Sequence, residues 1–162
     1  MSKLTKILSS ESCGKCRVCC GFTREDIWEI PLIYAENRNA VEEMLGARLK
    51  SRGGEFVFGM EFNSKEGELS YCPALTENGC SLGELKPFDC SVWPFRVNAL
   101  GDMRVITVSP VCETVFSLPL KTLSDFVNAN GFADMLFDEA RRHPDMIKPY
   151  IDGYPILAVK SQ

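Results

Sequence analysis

A chain of 162 residues that is 45% hydrophobic and 25% charged has the length and apolar content to bury a hydrophobic core, which excludes a disordered segment. Its formal charge of −4, which bound thiolate sites would make more negative, argues against a nucleic-acid footprint. Nothing approaches the length of a membrane span, and residues 1–11, with Leu4, Ile7 and Leu8 as their aliphatics, lack a secretory leader pattern. The expectation is a cytoplasmic protein in a reducing compartment, where thiols survive as ligands; four disulfides are the arithmetical alternative.

In chain order, residues 1–11 read as a short polar end. Thr23 and Asp26 then predict a helix start, with the hydroxyl capping free amides and the acid near the positive end. Ile27 and Ile30 give that helix an apolar edge, and Pro31 ends it. A second helix begins at Asn39, with Val41, Met44, Leu45, Arg48 and Leu49 spaced for one face, and stops at Gly53 and Gly54. Residues 55–62, rich in Phe and Val, predict a strand, and residues 69–72 a second short one. Residues 95–99 and 103–108 flank Leu100-Gly101-Asp102 and predict a hairpin, while Cys80 and Cys90 fall in loops.

Leu120, Leu123 and Val127 make one helical face, and Asn130-Gly131 breaks the chain. Phe132, Met135, Leu136 and Ala140 make the next face, closed at His143-Pro144, and residues 154–160 read as a last strand returning to the sheet. The predicted architecture is a small single α+β domain over residues 1–162, with two helix pairs flanking a short antiparallel sheet and cysteine-rich metal-binding loops. Trp28, Trp93, Phe88 and Phe95 are assigned to the core, where a dry shell would also tune a redox centre.

Four of the eight cysteines, Cys13, Cys16, Cys19 and Cys20, are spaced C-x-x-C-x-x-C-C; Cys72, Cys80, Cys90 and Cys112 come singly. Concentrating so many soft anionic ligands is costly unless a cation neutralises them, so metal or cluster binding is the first function to infer. The triplet Cys13, Cys16 and Cys19 is expected to line one concavity of a tight loop, with Gly14 and Gly21 letting the backbone turn. Adjacent side chains tend to diverge, so Cys19 and Cys20 either serve neighbouring sites, or one of them is a bridging, catalytic or merely buried thiol. Lys15, Arg17 and Arg24 offset the local negative charge. Any single cysteine has an inert reading as a small buried apolar residue, Cys112 and then Cys20 foremost.

The later cysteines sit in Cys72-Pro73-Ala74-Leu75, Gly79-Cys80-Ser81-Leu82 and Pro87-Phe88-Asp89-Cys90-Ser91-Val92-Trp93-Pro94. With the leading cluster, these segments resemble the YkgJ-like cysteine-cluster family, described as a zinc- or iron-chelating domain. Its pattern runs C-x-x-C-x-x-C-C, C-P-x-L, G-C with an aliphatic two residues on, and R-P-x-x-C-x-x-(F/W)-P. The resemblance covers residues 12–94 and more loosely Cys112. Lys86 stands where the family commonly has Arg, and Asp89 where a second basic residue falls. The resemblance implies iron–sulfur or zinc binding, and a similar cysteine cluster occurs in a flagellin lysine methylase.

One compact triplet without a second C-x-x-C knuckle favours a [4Fe–4S] cluster over zinc, and Cys72-Pro73 resembles the Cys-Pro that closes bacterial ferredoxin motifs. All eight cysteines (Cys13, Cys16, Cys19, Cys20, Cys72, Cys80, Cys90 and Cys112) are candidate ligands for one or two sites, with the partition between sites open. The single histidine, His143, is assigned to a helix end. No phosphate loop, G-x-G-x-x-G, G-x-S-x-G or H-E-x-x-H motif is present. The expected function is an iron–sulfur protein in electron transfer, or a component of an oxidoreductase, with a redox or protein partner and no membrane or nucleic acid. The alternative is a zinc-stabilised interaction module without catalysis. Modification of protein side chains is a third reading that rests on the methylase resemblance alone.

Overall fold

Residues 4, 6–62 and 65–161 are described by the computed structural model, which has the expected α+β class. The chain divides into two units, Met1–Ser91 and Val92–Gln162.

In the first unit, Leu4 and Leu8 are buried, so the N-terminal residues do more than form a polar end. Helix α1 (Ser10–Cys16) follows, with the Ser9 hydroxyl accepting from the Ser12 amide at 3.1 Å as its N-cap. Arg17, at φ 58°, terminates α1 in the left-handed region and leads into a 3-10 turn over Val18–Cys20 and strand β1 (Gly21–Phe22). The helix expected after Thr23 is only a 3-10 turn, Ile27–Glu29. The Thr23 hydroxyl donates to the Asp26 carboxylate at 2.6 Å instead of capping amides. The Arg52 guanidinium takes up the carbonyls that a helix would have used, donating to Ile27 O at 2.6 Å, Ile30 O at 3.1 Å and Trp28 O at 3.4 Å. Trp28 is 40% exposed on this turn and is not a core residue.

Helix α2 (Arg38–Leu45) ends at Gly46, φ 64°, earlier than the Gly53-Gly54 stop expected. The Glu42 carboxylate explains the early return, accepting from Leu49 N at 2.9 Å, Arg48 at 3.2 Å and Arg38 at 3.3 Å. Those bonds release Leu49–Arg52 to form β2, paired antiparallel with β3 (Glu55–Phe58) across Gly53, which adopts φ 59° in the turn. Strand β4 (Ser70–Tyr71) pairs with β1, and β5 (Leu75–Thr76) with β6 (Gly79–Cys80). A 3-10 turn at Gly83–Leu85 leads to α3 (Phe88–Val92). Cys80 therefore ends a strand and Cys90 lies on a helix, where loops had been expected.

The second unit is built on a four-stranded sheet in the order β10-β8-β7-β9. Strands β7 (Phe95–Leu100) and β8 (Met103–Val108) form the predicted hairpin, in register from Phe95↔Val108 to Leu100↔Met103 around Gly101. Helices α4 (Glu113–Phe116), α5 (Leu120–Asn128) and α6 (Phe132–Arg142) follow, with Gly131 at φ 73° starting α6. The β9 strand (Lys148–Pro149) runs parallel to β7, so the sheet is not wholly antiparallel. The last strand, β10 (Ile156–Ser161), returns antiparallel to β8 with a bulge between Ile156 and Ala158. Phe95 stacks on Phe126 at 5.6 Å and meets Phe132 edge-on, as its core assignment requires. His143 closes α6, its amide donating to Glu139 O at 2.8 Å.

Asn98 is fully buried in β7 and its side chain ties the short parallel strand β9 to the sheet. Its Nδ2 donates to Pro149 O at 3.0 Å and Lys148 O at 3.4 Å, while its Oδ1 accepts from Thr107 Oγ1 at 2.7 Å. At the outer strand, Asn128 Nδ2 donates to Leu157 O at 2.9 Å. Because Asn98→Ala strips the partner from the buried Thr107 hydroxyl and from two part-buried carbonyls, urea unfolding should show a loss of about 2 kcal/mol. Lys121→Ala, which breaks an exposed pair with Asp125, should cost less than about 0.5 kcal/mol. Equal losses from the two variants would show that the Asn98 network carries no special weight.

Candidate metal centre

Helix α1 places Cys13 and Cys16 on consecutive turns, and the left-handed Arg17 then reverses the chain. The 3-10 turn that follows brings Cys19 back onto α1, so that its thiol is hydrogen-bonded to both the Cys13 and the Cys20 thiols. Cys19 and Cys20 therefore converge, contrary to the divergence expected of neighbours. Successive side chains in a 3-10 helix are only about 120° apart, against about 180° in a strand. The set in contact is Cys13, Cys19 and Cys20. Cys16 is exposed and is not among the thiols in mutual contact.

The end of α1 is seated on the β5–β6 hairpin. Arg17 donates to Thr76 O at 3.2 Å, and a Cβ at Gly14 would lie 3.8 Å from Asn78 O and from Gly79 Cα. Gly79, at φ 99°, is the position in this contact that needs glycine. Beyond β1 and β4 the ladder continues by one bond, from Cys72 N to Cys20 O at 2.7 Å, and this places Cys72 beside the cluster. Cys72 is within electrostatic reach of Cys20 and Cys80. Cys90 in turn reaches Cys72 and Cys20. Helix α3 holds Cys90 in place through Asp89, whose Oδ2 accepts from Leu32 N at 3.3 Å. Cys112 belongs to the second unit, at the start of α4.

All eight cysteines are free thiols, so the four-disulfide alternative is not formed. Their proton affinities differ widely. Cys13 is drawn down to about 6, first by the hydrogen bond from Cys19, with burial opposing and Lys86 assisting. Cys20 falls to about 7 for the same first reason, with Lys86 and Arg17 assisting against burial and the Cys13 charge. Cys19, as the donor to both, is pushed far up. Burial raises Cys72 to about 11 and takes Cys90 well above its ordinary value.

Of the cations expected to offset the local charge, Arg17 acts on Cys20. Lys15 is paired with exposed Glu11 at 2.6 Å, whereas Lys86, considered in the sequence only as a departure from a family pattern, reaches Cys13, Cys20 and Cys90. Its position beside Pro87, one helical turn before Cys90, is the signal that could have singled it out.

Among the described residues, no group of three or more His, Cys, Asp or Glu side chains stands in an arrangement that could hold a metal ion. The fit to a soft cation therefore rests on donor chemistry. Three thiols are in hydrogen-bond contact, two of them ionise near neutrality, Cys72 and Cys90 are within electrostatic reach of Cys20, and Cys80 of Cys72. That set suits thiolate ligation and offers no hard oxygen or imidazole donor.

In metal-free, reduced protein at pH 7, Cys13 lies above its titration point and Cys20 near it, while Cys72 and Cys90 remain protonated. Iodoacetamide labelling read by peptide mass spectrometry should therefore modify Cys13 and Cys20 well before Cys72 and Cys90, with the Cys13 rate falling below about pH 6. Labelling of Cys90 ahead of Cys13 would contradict the assignment. Comparison with family models, with curated protein sequences and with solved structures found no match, so the thiol geometry and the motif spacing carry the functional reading.

Proposed function

We propose that this chain binds an iron–sulfur cluster, [4Fe–4S], through the cysteines of its first unit and acts in electron transfer or as a redox component of an oxidoreductase. The observation that carries the reading is the thiol network of Cys13, Cys19 and Cys20, joined by Cys72 and Cys90, with Cys80 beside Cys72. Such a cluster, when bound, supplies a site that takes up and releases one electron at a time. The protein's own contribution is to present thiolates that need little deprotonation at neutral pH, with half-buried Cys72 and Cys90 near them. Cys16 and Cys112 are the outer members of the candidate set. The resemblance to the YkgJ-like cysteine-cluster family, a cytoplasmic setting and a redox or protein partner belong to the same proposal. No helix among the described residues is long and apolar enough to cross a membrane.

The second reading, a zinc-stabilised interaction module, is favoured by one feature of the fold. The β1–β4 and β5–β6 ladders are only two residues long in each strand, too short to stand alone. A cation bound across them would contribute to folding directly.

Iron, zinc and acid-labile sulfide analysis of anaerobically purified protein, with EPR of the reduced sample, separates the readings. The expected result is about four iron and four sulfide per chain. Zinc without sulfide selects the second reading, and folded protein free of both metals overturns both. Cys20→Ala and Cys90→Ala should lose most of the bound metal, whereas Cys16→Ala should retain more of it; the reverse order would refute the ligand assignment.

A further inference from the structure

Between buried Phe22 and buried Ile30 the chain of the first unit runs out into solvent, and residues 24–28 are all exposed. Single exposed apolar residues are ordinary. Here two stand side by side on one 3-10 turn, Ile27 at 50% and Trp28 at 40% exposure. Successive side chains of such a turn are about 120° apart, so they form a wedge and do not point to opposite faces. The turn is tightly built. Thr23 O accepts from Asp26 N at 3.1 Å, and Asp26 O accepts from Glu29 N at 2.8 Å. The Thr23 hydroxyl closes on the Asp26 carboxylate at 2.6 Å. From the end of β2, Arg52 donates to Ile27 O, Trp28 O and Ile30 O, and Ile33 exchanges bonds of 2.7 and 3.0 Å with Phe56 of β3.

The Ile27 and Trp28 carbonyls lie at the surface, where water would satisfy them unaided. Arg52 therefore fixes the position of the turn, at the cost of its own side-chain freedom, and does not merely rescue buried groups. The charge on the turn has one dominant sign, because Glu25, Asp26 and Glu29 stand against Arg24 alone. We propose that the Ile27–Trp28 turn is a docking wedge for a partner protein that offers an apolar pocket bordered by lysine or arginine side chains. A tryptophan held in place before contact loses little freedom on binding, and tryptophan is among the residue types that dominate interface energies. The acids attract a basic surface and repel an acidic one, which disfavours a second copy of this chain, whose formal charge is −4. None of these groups is a cysteine, so the inference goes beyond the metal reading and does not depend on it.

The test titrates the full-length chain, purified anaerobically, into a dye-labelled peptide of alternating leucine and lysine, read by fluorescence anisotropy. A peptide of alternating leucine and glutamate is the counterpart. The lysine peptide should bind, more weakly as salt is raised, and the glutamate peptide should not. Trp28→Ala should weaken binding about tenfold and Glu25→Gln about threefold. Arg52→Lys keeps the charge but cannot span three carbonyls, so it should weaken binding with Trp28 still present. If Arg52→Lys fails to fold, Trp28→Ala and Glu25→Gln, both at exposed side chains, decide the matter. Undiminished binding by Trp28→Ala, equal binding of the two peptides, or no binding by the unaltered chain would each overturn the proposal. So would self-association in sedimentation velocity that Trp28→Ala abolishes, since the occupant would then be a second copy. Metal analysis of the same sample keeps a failure of the metal reading separate.

Discussion

One backbone hydrogen bond, from the Cys72 amide to the Cys20 carbonyl, joins the clustered cysteines near the N-terminus to those that follow much later in the chain. It extends the Gly21↔Tyr71 and Phe22↔Ser70 pairing by one step, so that Cys20 and Cys72 stand opposite each other. With it, the short β1–β4 ladder becomes a hinge pin between two stretches of sequence. The other contacts of the site lie around that closure: Arg17 on the β5–β6 hairpin, Asp89 on Leu32, and the approach of Cys90 to Cys72 and Cys20. Closing so long a loop for so few ladder bonds is entropically expensive, which is why attraction among the groups it gathers matters to the fold as well as to the chemistry.

Within the cluster, Cys19 has a different office from its neighbours. It keeps its proton and shares it, so that Cys13 and Cys20 can be anionic side by side without facing each other unscreened. The positive charge of Lys86 assists both thiolates.

Much of the second unit was legible in the amino-acid sequence because its signals are local. Leu100-Gly101-Asp102 between two alternating runs is a hairpin whatever lies elsewhere, and the faces of α5 and α6 repeat every three or four residues with Gly131 between them. The first unit was less legible because distant side chains decide its element boundaries. Glu42 ends α2 by bonding Leu49 and two arginines, and Arg52 holds the carbonyls of 27–30, which leaves Trp28 outside. At the site, the cysteines were visible as a set, but their grouping was not. It turns on the left-handed conformation of Arg17, a residue type that seldom signals such a turn, and on a 3-10 geometry that no spacing rule announces. The influence of Lys86 was hidden for the same reason, since Cys13, Cys20 and Cys90 lie far apart in the chain.

The two rims of the second unit's sheet are each interrupted, by different means. On one side Pro149 interrupts the row of amide donors, and on the other the bulge after Ile156, with Asn128 already occupying the Leu157 carbonyl, spoils the regular spacing a new strand would need. Exposed Val159 and Ile156 would otherwise invite another polypeptide to stitch itself alongside. Crowded copies of this chain therefore lack a ready template for edge-to-edge fibre growth through this sheet, despite its apolar outer strand.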